Sequence, residues 1–287
     1  MIELASGSLT AAFAPDAGMV GCSLRHRGEE LLGQRGGLAK YRETGSTFGI
    51  PLLHPWANRI DREVDSPLVR HDPNGLPIHG LLTASPFWEL IASDSARLSA
   101  RLDFAAHEEL MSGFPFAHDL RVDAELAGAR LTVRTTVHAS GDRPVPIAFG
   151  WHPYLTLPAV PRGEWRVELP ARRHAELDER GIPTGRSQPI AIEPGPLGDR
   201  TYDDLFPELA EPPVFALEGG GRRIELAFGE GYPIAQVYAP PGQDFICFEP
   251  MTAPTNALVS GDGLRRVDPG ETFGAAFSLS VSAESRS

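Results

Sequence analysis

The chain has 287 residues, long enough for two average domains, although a large β-sandwich or barrel reaches that size as one. With 41% hydrophobic and 22% charged residues it lies near the globular norm, so one sizeable core is within reach. Its 26 basic residues against 38 acidic give a net charge of −12, which repels phosphate backbones and sets aside nucleic acid and anionic membranes as partners.

The same field weighs only mildly against a phosphorylated small molecule, because a local Arg pocket can override it. Met1-Ile2-Glu3-Leu4-Ala5-Ser6-Gly7 lacks the basic and long apolar regions of a secretory leader. No run approaches the roughly 18 apolar residues of a membrane span. Cys22 and Cys247 are the only cysteines, so a disulfide framework is not expected and a cytoplasmic setting is.

Along the chain, short runs with a period of two dominate. Residues 9–13 and 22–26 open the series, before a turn at Gly28-Glu29-Glu30. Residues 105–113 are the best helical candidate, ending at Gly113 before Phe114-Pro115. Leu120, Val122, Ala124 and Leu126 then alternate with Asp119, Arg121, Asp123 and Glu125. The beat resumes after Ala127-Gly128-Ala129 in Leu131, Val133, Thr135 and Val137, which predicts a hairpin with one buried face. Further strands are expected at 165–169, 223–228, 234–238, 245–248 and 273–281. The Pro-rich stretch 182–196 reads as an ordered surface loop. With 30 Gly and 27 Pro marking turns and no long 3.6-residue stripe, the chain is expected to be all-β, a large antiparallel β-sandwich.

Standard catalytic motifs are missing. There is no Cys-x-x-Cys, His-Glu-x-x-His, Gly-x-Ser-x-Gly or phosphate loop, and Gly219-Gly220-Gly221 reads as a hairpin turn. None of the nine histidines forms a His-x-His or i,i+4 pair, so neither a metal nor another cofactor is expected. What remains is polar side chains inside apolar, turn-rich contexts. His152 sits in Gly150-Trp151-His152-Pro153-Tyr154, and Glu249 in Ile246-Cys247-Phe248-Glu249-Pro250. A His titrates at about 6.5 and a Glu at about 4.3, so the two can act as acid and base across one substrate. A sugar hemiacetal, which loses one proton and gains another on ring opening, needs that combination.

Asn58 and Arg59 end a long apolar run, and His79 lies beside Gly80, where backbone can approach a ligand closely. Asp203 and Asp204 stand between aromatics, and Gln236 lies on a predicted strand. Each has a plainer reading. His54 or His79 can be a hydrogen-bonded core or loop histidine, Arg59 can pair with a surface carboxylate, and either Asp can cap a turn. Glu249 is harder to explain that way, since an unpaired carboxylate is costly to bury; its plainer reading is a buried ion pair.

In order, Asn58-Arg59-Ile60, His79-Gly80, Gly150-Trp151-His152-Pro153-Tyr154, Tyr202-Asp203, Gln236-Val237-Tyr238 and Phe248-Glu249-Pro250 resemble the motifs of the aldose 1-epimerase (galactose mutarotase) family. Each alone is weak, but together in that order they are specific, and they span nearly the whole chain. The resemblance implies a single domain over 1–287 with the supersandwich fold and an open sugar cleft on one sheet. It implies Glu249 as general base and His152 as general acid, with Asn58, Arg59, His79, Asp203 and Gln236 holding the sugar. It also implies a free aldohexose as substrate.

Two features depart from the family pattern. Gln236 and Glu249 lie only 13 positions apart, without a longer insertion, and His79-Gly80 is followed by Leu81-Leu82-Thr83-Ala84. Three other functions fit parts of the pattern: a non-catalytic sugar-binding protein, a hexose-phosphate epimerase on the same scaffold, and a glycosidase using Glu249 with Asp203. Only Arg59 and Arg62 sit near the early motif, which ranks the phosphate reading lower. Exposed sheet edges fit either a monomer or a homodimer.

Overall fold

Strand-forming alternation becomes sheet throughout the computed structural model, which describes residues 1–283. The predicted hairpin forms from His118–Ala127 and Arg130–Ala139. Leu120 opposes Val137, Ala124 opposes Val133 and Leu126 opposes Leu131, so the apolar set faces inward. This hairpin is central to a nine-stranded antiparallel sheet. In order, its strands are Gly195–Pro196, Arg166–Glu168, Val214–Gly219, Arg222–Phe228, Thr272–Ala283, Arg130–Ala139, His118–Ala127, Arg97–Asp103 and Glu89–Ser93. The expected Gly219-Gly220-Gly221 turn joins two of these neighbours.

A second, six-stranded sheet runs Tyr202–Phe206, Ile234–Ala239, Ile246–Met251, Gly150–Trp151 and Leu52–Leu53, with Tyr154–Leu155 also paired to Ile246–Met251. The two sheets pack face to face. Trp151 meets Phe277 at 5.8 Å between ring centroids, and Phe215 meets Phe248 at 5.2 Å. The Trp151 indole donates to Thr135 Oγ1 across the interface at 3.0 Å. Aromatic contacts of this kind add to the area term, and the indole N–H finds the partner it needs when buried. The smaller sheet at the start of the chain, Ile2–Ser6, Leu9–Ala14, Val20–His26 and Glu29–Glu30, contributes Leu4, Leu9 and Leu24 to the same core.

Several expectations need correction. Residues 182–196 are not a loop throughout, because Pro183–Pro189 pairs antiparallel with Ala171–Leu177 and Gly195–Pro196 edges the large sheet. The strand Pro183–Pro189 carries no buried residue, so it has no apolar alternation to read. The helical candidate 105–113 divides into a 3₁₀ turn, Phe104–Ala106, and a helix, Glu108–Gly113. Asp103 caps the first by accepting from the Ala105 and Ala106 amides. A further helix, Gly37–Thr44, was not expected; only Tyr41 of its eight residues is buried, so it has no apolar stripe. Both cysteines are buried and free. No helix among the described residues is long and apolar enough to cross a membrane.

Candidate active site

The period-two rule that fills the core also builds the site. On Ile246–Met251, Ile246 and Phe248 join the inter-sheet core while Cys247, Glu249 and Met251 point the other way. On Ile234–Ala239, Ala235 and Val237 face inward and Gln236 and Tyr238 outward. Gln236 and Glu249 are direct cross-strand partners, so the 13-residue spacing is that of a hairpin. Asp203 opposes Tyr238 on the next strand over, and His152 follows Gly150–Trp151, the neighbour on the other side. Four side chains from separate segments of the chain thus share one outer sheet face.

Two segments complete the walls. Asn58 and His79 both adopt left-handed backbone, at φ 57° and 64°, and the His79 amide donates to the Asn58 carbonyl at 3.0 Å. Non-glycine residues in that region carry about 1–3 kcal/mol of strain each, which persists only where surrounding structure imposes it. Gly80 (φ 70°) lies against the His54 carbonyl, so the close approach that its missing Cβ permits is to the chain's own backbone.

All seven expected residues, Asn58, Arg59, His79, His152, Asp203, Gln236 and Glu249, line one cleft of about 680 Å³. His152 Nε2 lies 3.2 Å from Glu249 Oε1, at 4% and 1% exposure. The acid and base candidates therefore stand side by side on one wall, not on facing walls. The Tyr154 ring stacks on His152 at 4.4 Å between centroids, and His79 meets it edge-on at 5.3 Å. Arg59 donates from Nε to Asp72 Oδ2 at 2.6 Å and from Nη1 to Asn58 Oδ1 at 3.1 Å; its Nη2 lies 3.6 Å from Asp203. Gln236 Nε2 donates to Asp203 Oδ1 at 2.7 Å. Asp204, by contrast, pairs with His174 at 2.6 Å and does not line this cleft.

Burial governs the electrostatics. It pushes the Glu249 carboxyl well above the usual range, reinforced by Asp203 and opposed by Arg59. It pushes the His152 imidazole well below its ordinary value, with His79 and Arg35 adding to the effect. His79 is lowered to about 3, chiefly by burial and then by Arg59 and Arg35. Each partner of the 3.2 Å contact therefore favours its neutral form. Among the buried atoms without a protein partner are His79 Nδ1, His152 Nδ1, Gln236 Oε1 and Glu249 Oε2. An unmet buried polar atom costs about 1–3 kcal/mol, so this wall is suited to a ligand with several hydroxyls.

A family model described as aldose 1-epimerase matches residues 1–280. The chain belongs to the aldose 1-epimerase family. Solved structures agree in fold. A galactose mutarotase-like protein from Clostridium acetobutylicum superposes with a TM-score of 0.84 at 19% identity, over 98% of this chain and 95% of that one. An aldose epimerase homologue from C. elegans gives 0.78 at 17%, over 99% of each chain. Galactose 1-epimerase from Lactobacillus acidophilus gives 0.74 at 15%, over 98% and 93%. No curated protein matches the chain.

This family member also brings to its cleft residues that motif reading passed over. Asp72, which anchors Arg59, lies in a turn signalled by His71-Asp72-Pro73-Asn74-Gly75, and its Oδ1 accepts from the Asn74 and Leu76 amides at 2.9 and 3.0 Å. The sequence marks the turn but not its role. Arg35 and Arg70 line the cleft and Arg62 does not, which corrects the count of cations drawn from the early motif. Nothing local to either Arg marks it, because tertiary folding alone brings them there.

Proposed function

We propose that this protein interconverts the α and β anomers of a free aldohexose by opening and reclosing the sugar ring, with Glu249 as general base and His152 as general acid. The observation that carries the reading is the buried His152–Glu249 contact at 3.2 Å, on the wall of a cleft furnished with amide, guanidinium and carboxylate groups. Ring opening takes a proton from the anomeric hydroxyl and gives one to the ring oxygen. Those two oxygens are bonded to the same carbon, so an acid and a base standing side by side reach both.

The reaction neither gains nor loses protons overall, so the pair needs to hold only one. Burial, which raises the Glu249 carboxyl and lowers the His152 imidazole, favours that proton on Glu249 at rest. The reactive arrangement, carboxylate beside imidazolium, follows when it crosses the 3.2 Å contact. Arg59, which favours the charged carboxylate, and sugar hydroxyls donating to it assist that shift. Glu249 then takes the anomeric proton as His152 protonates the ring oxygen, the carbonyl carbon rotates about its bond to the next carbon, and the steps reverse on either face. Asn58, Arg59, His79, Asp203 and Gln236 hold the hydroxyls.

Positioned acid or base catalysis contributes about 10²–10⁴-fold each, or roughly 3–5 kcal/mol. Spontaneous mutarotation is already measurable in water, so contributions of that size suffice. Glu249→Gln and His152→Asn should each remove most polarimetric activity while the protein stays folded and binds sugar. Full activity in either variant would discard the role assignment, and an inert folded wild type would leave the sugar-binding reading in its place.

A further inference from the structure

We propose that Tyr154 is the positioning residue for His152: its ring sets the plane in which the imidazole presents its proton, and Thr47 and Arg35 anchor that ring through its hydroxyl. This rests on the mutarotase reading of the same site. A catalytic imidazole is ordinarily held through its second nitrogen, which hydrogen-bonds a carboxylate or a backbone carbonyl. His152 has no such bond. Its Nε2 meets Glu249 at 3.2 Å, while its Nδ1 is buried without a partner among the described residues. The Glu249 contact fixes which way the ring points, but leaves it free to rock about a side-chain torsion that is intrinsically broad. Packing must supply the rest.

Tyr154 does so from two positions along the chain. Pro153 between them has no amide hydrogen to donate, and the residues on either side are registered on one extended segment. The His152 amide donates to the Pro51 carbonyl at 3.1 Å, and the Tyr154 amide to the Gly49 carbonyl at 2.8 Å. On such a backbone both side chains leave the same face. Their ring centroids lie 4.4 Å apart, with the planes 10° from parallel. His79 and Tyr238 meet the imidazole steeply, at 84° and 77° and at 5.3 and 6.0 Å. Among the described residues Tyr154 alone lies flat against it.

The Tyr154 ring is fixed in turn. Its hydroxyl accepts from Arg35 Nη1 at 3.1 Å and lies 2.6 Å from Thr47 Oγ1. Arg35 can only donate, which leaves the phenolic proton for Thr47. The same Arg35 nitrogen donates to the Thr47 carbonyl at 2.8 Å, and the Phe245 ring packs edge-on to Tyr154 at 5.0 Å. At 1% exposure Tyr154 offers a sugar almost no surface, so it reaches the reaction through the imidazole. Proton delivery to the ring oxygen depends on the direction of the donor, and that direction follows the plane of the stack.

The test is anomer exchange by NMR on the full chain, with kcat and KM resolved for wild type and three variants. Tyr154→Leu removes the flat contact and should lower kcat on the order of 10²-fold, the effect of a misplaced catalytic group, while KM stays near the wild-type value. Tyr154→Phe keeps the ring and loses its anchor, and Thr47→Val removes one of the anchor's two partners. Each should lower kcat by about three- to ten-fold, the size of one hydrogen bond, again without moving KM. Phenylalanine thus restores most of what leucine loses. A side chain that only fills space would weaken sugar binding and turnover together. A KM that rises as kcat falls in Tyr154→Leu would remove the positioning role. So would wild-type turnover in both Tyr154→Phe and Thr47→Val, the pair that decides should Tyr154→Leu not fold. Either result leaves mutarotation standing, whereas a wild type inert on every sugar removes both.

Discussion

Gly80→Ala probes the link between backbone geometry and the site. Gly80 has φ 70°, and a Cβ there would fall well inside 3.0 Å of the His54 carbonyl oxygen and carbon, backbone atoms that cannot rotate away. The left-handed conformation costs an L-residue about 1–2 kcal/mol. Relieving the overlap needs a shift of roughly 1 Å in a packed region, which adds about 1–3 kcal/mol. The total is about 2–5 kcal/mol. Gly128→Ala is the control, because Gly128 has φ 60° and nothing within 4 Å of the added atom, so it carries only the first cost. Urea denaturation of both variants should show Gly80→Ala less stable than Gly128→Ala by about 1–3 kcal/mol. The shift also carries the adjoining His79, and a misplacement near 1 Å at an active site costs on the order of 10²-fold in activity. A Gly80→Ala protein within about 0.5 kcal/mol of the control and fully active would refute the argument.

Three further outcomes follow from the same geometry. Because His152 and Glu249 act on one proton between them, the double variant His152→Asn/Glu249→Gln should be about as inactive as the worse single variant, and kcat losses that multiply would separate their roles. His54, His79 and His118 are all lowered by burial, so at these positions the unfolded chain binds protons that the folded one refuses, whereas the raised Glu249 offsets the lowered His152. The stability contributed by these three histidines is therefore full above pH 6.5 and is lost as pH drops below it, each contributing up to about 1.4 kcal/mol per pH unit; chemical denaturation at pH 7.5 and 5.5 checks the sign. Thr135→Val leaves the buried Trp151 indole N–H without its 3.0 Å partner and should cost about 1–3 kcal/mol by thermal or urea unfolding.

The two-sheet architecture was legible wherever one strand face meets the core and the other meets water, as in His118–Ala127 with Arg130–Ala139. It was illegible where a strand is exposed on both faces, as in Pro183–Pro189, or where a helix buries one residue, as in Gly37–Thr44. At the site, Glu249 and Gln236 announced themselves as polar residues within apolar strands, and His79 through the glycine beside it. Arg35 and Arg70 did not, since a surface Arg and a cleft Arg look alike until distant segments meet. The contact between His152 and Glu249 is likewise a product of strand order, not of local sequence.

The most direct measurement is saturation-transfer NMR of anomer exchange on the purified wild-type chain at neutral pH, across a panel of aldoses and their anionic derivatives. Exchange should exceed the buffer rate in proportion to enzyme concentration for at least one sugar, and should collapse in Glu249→Gln. Folded protein that leaves every anomer pair exchanging at the buffer rate would contradict the assignment of this cleft to ring opening.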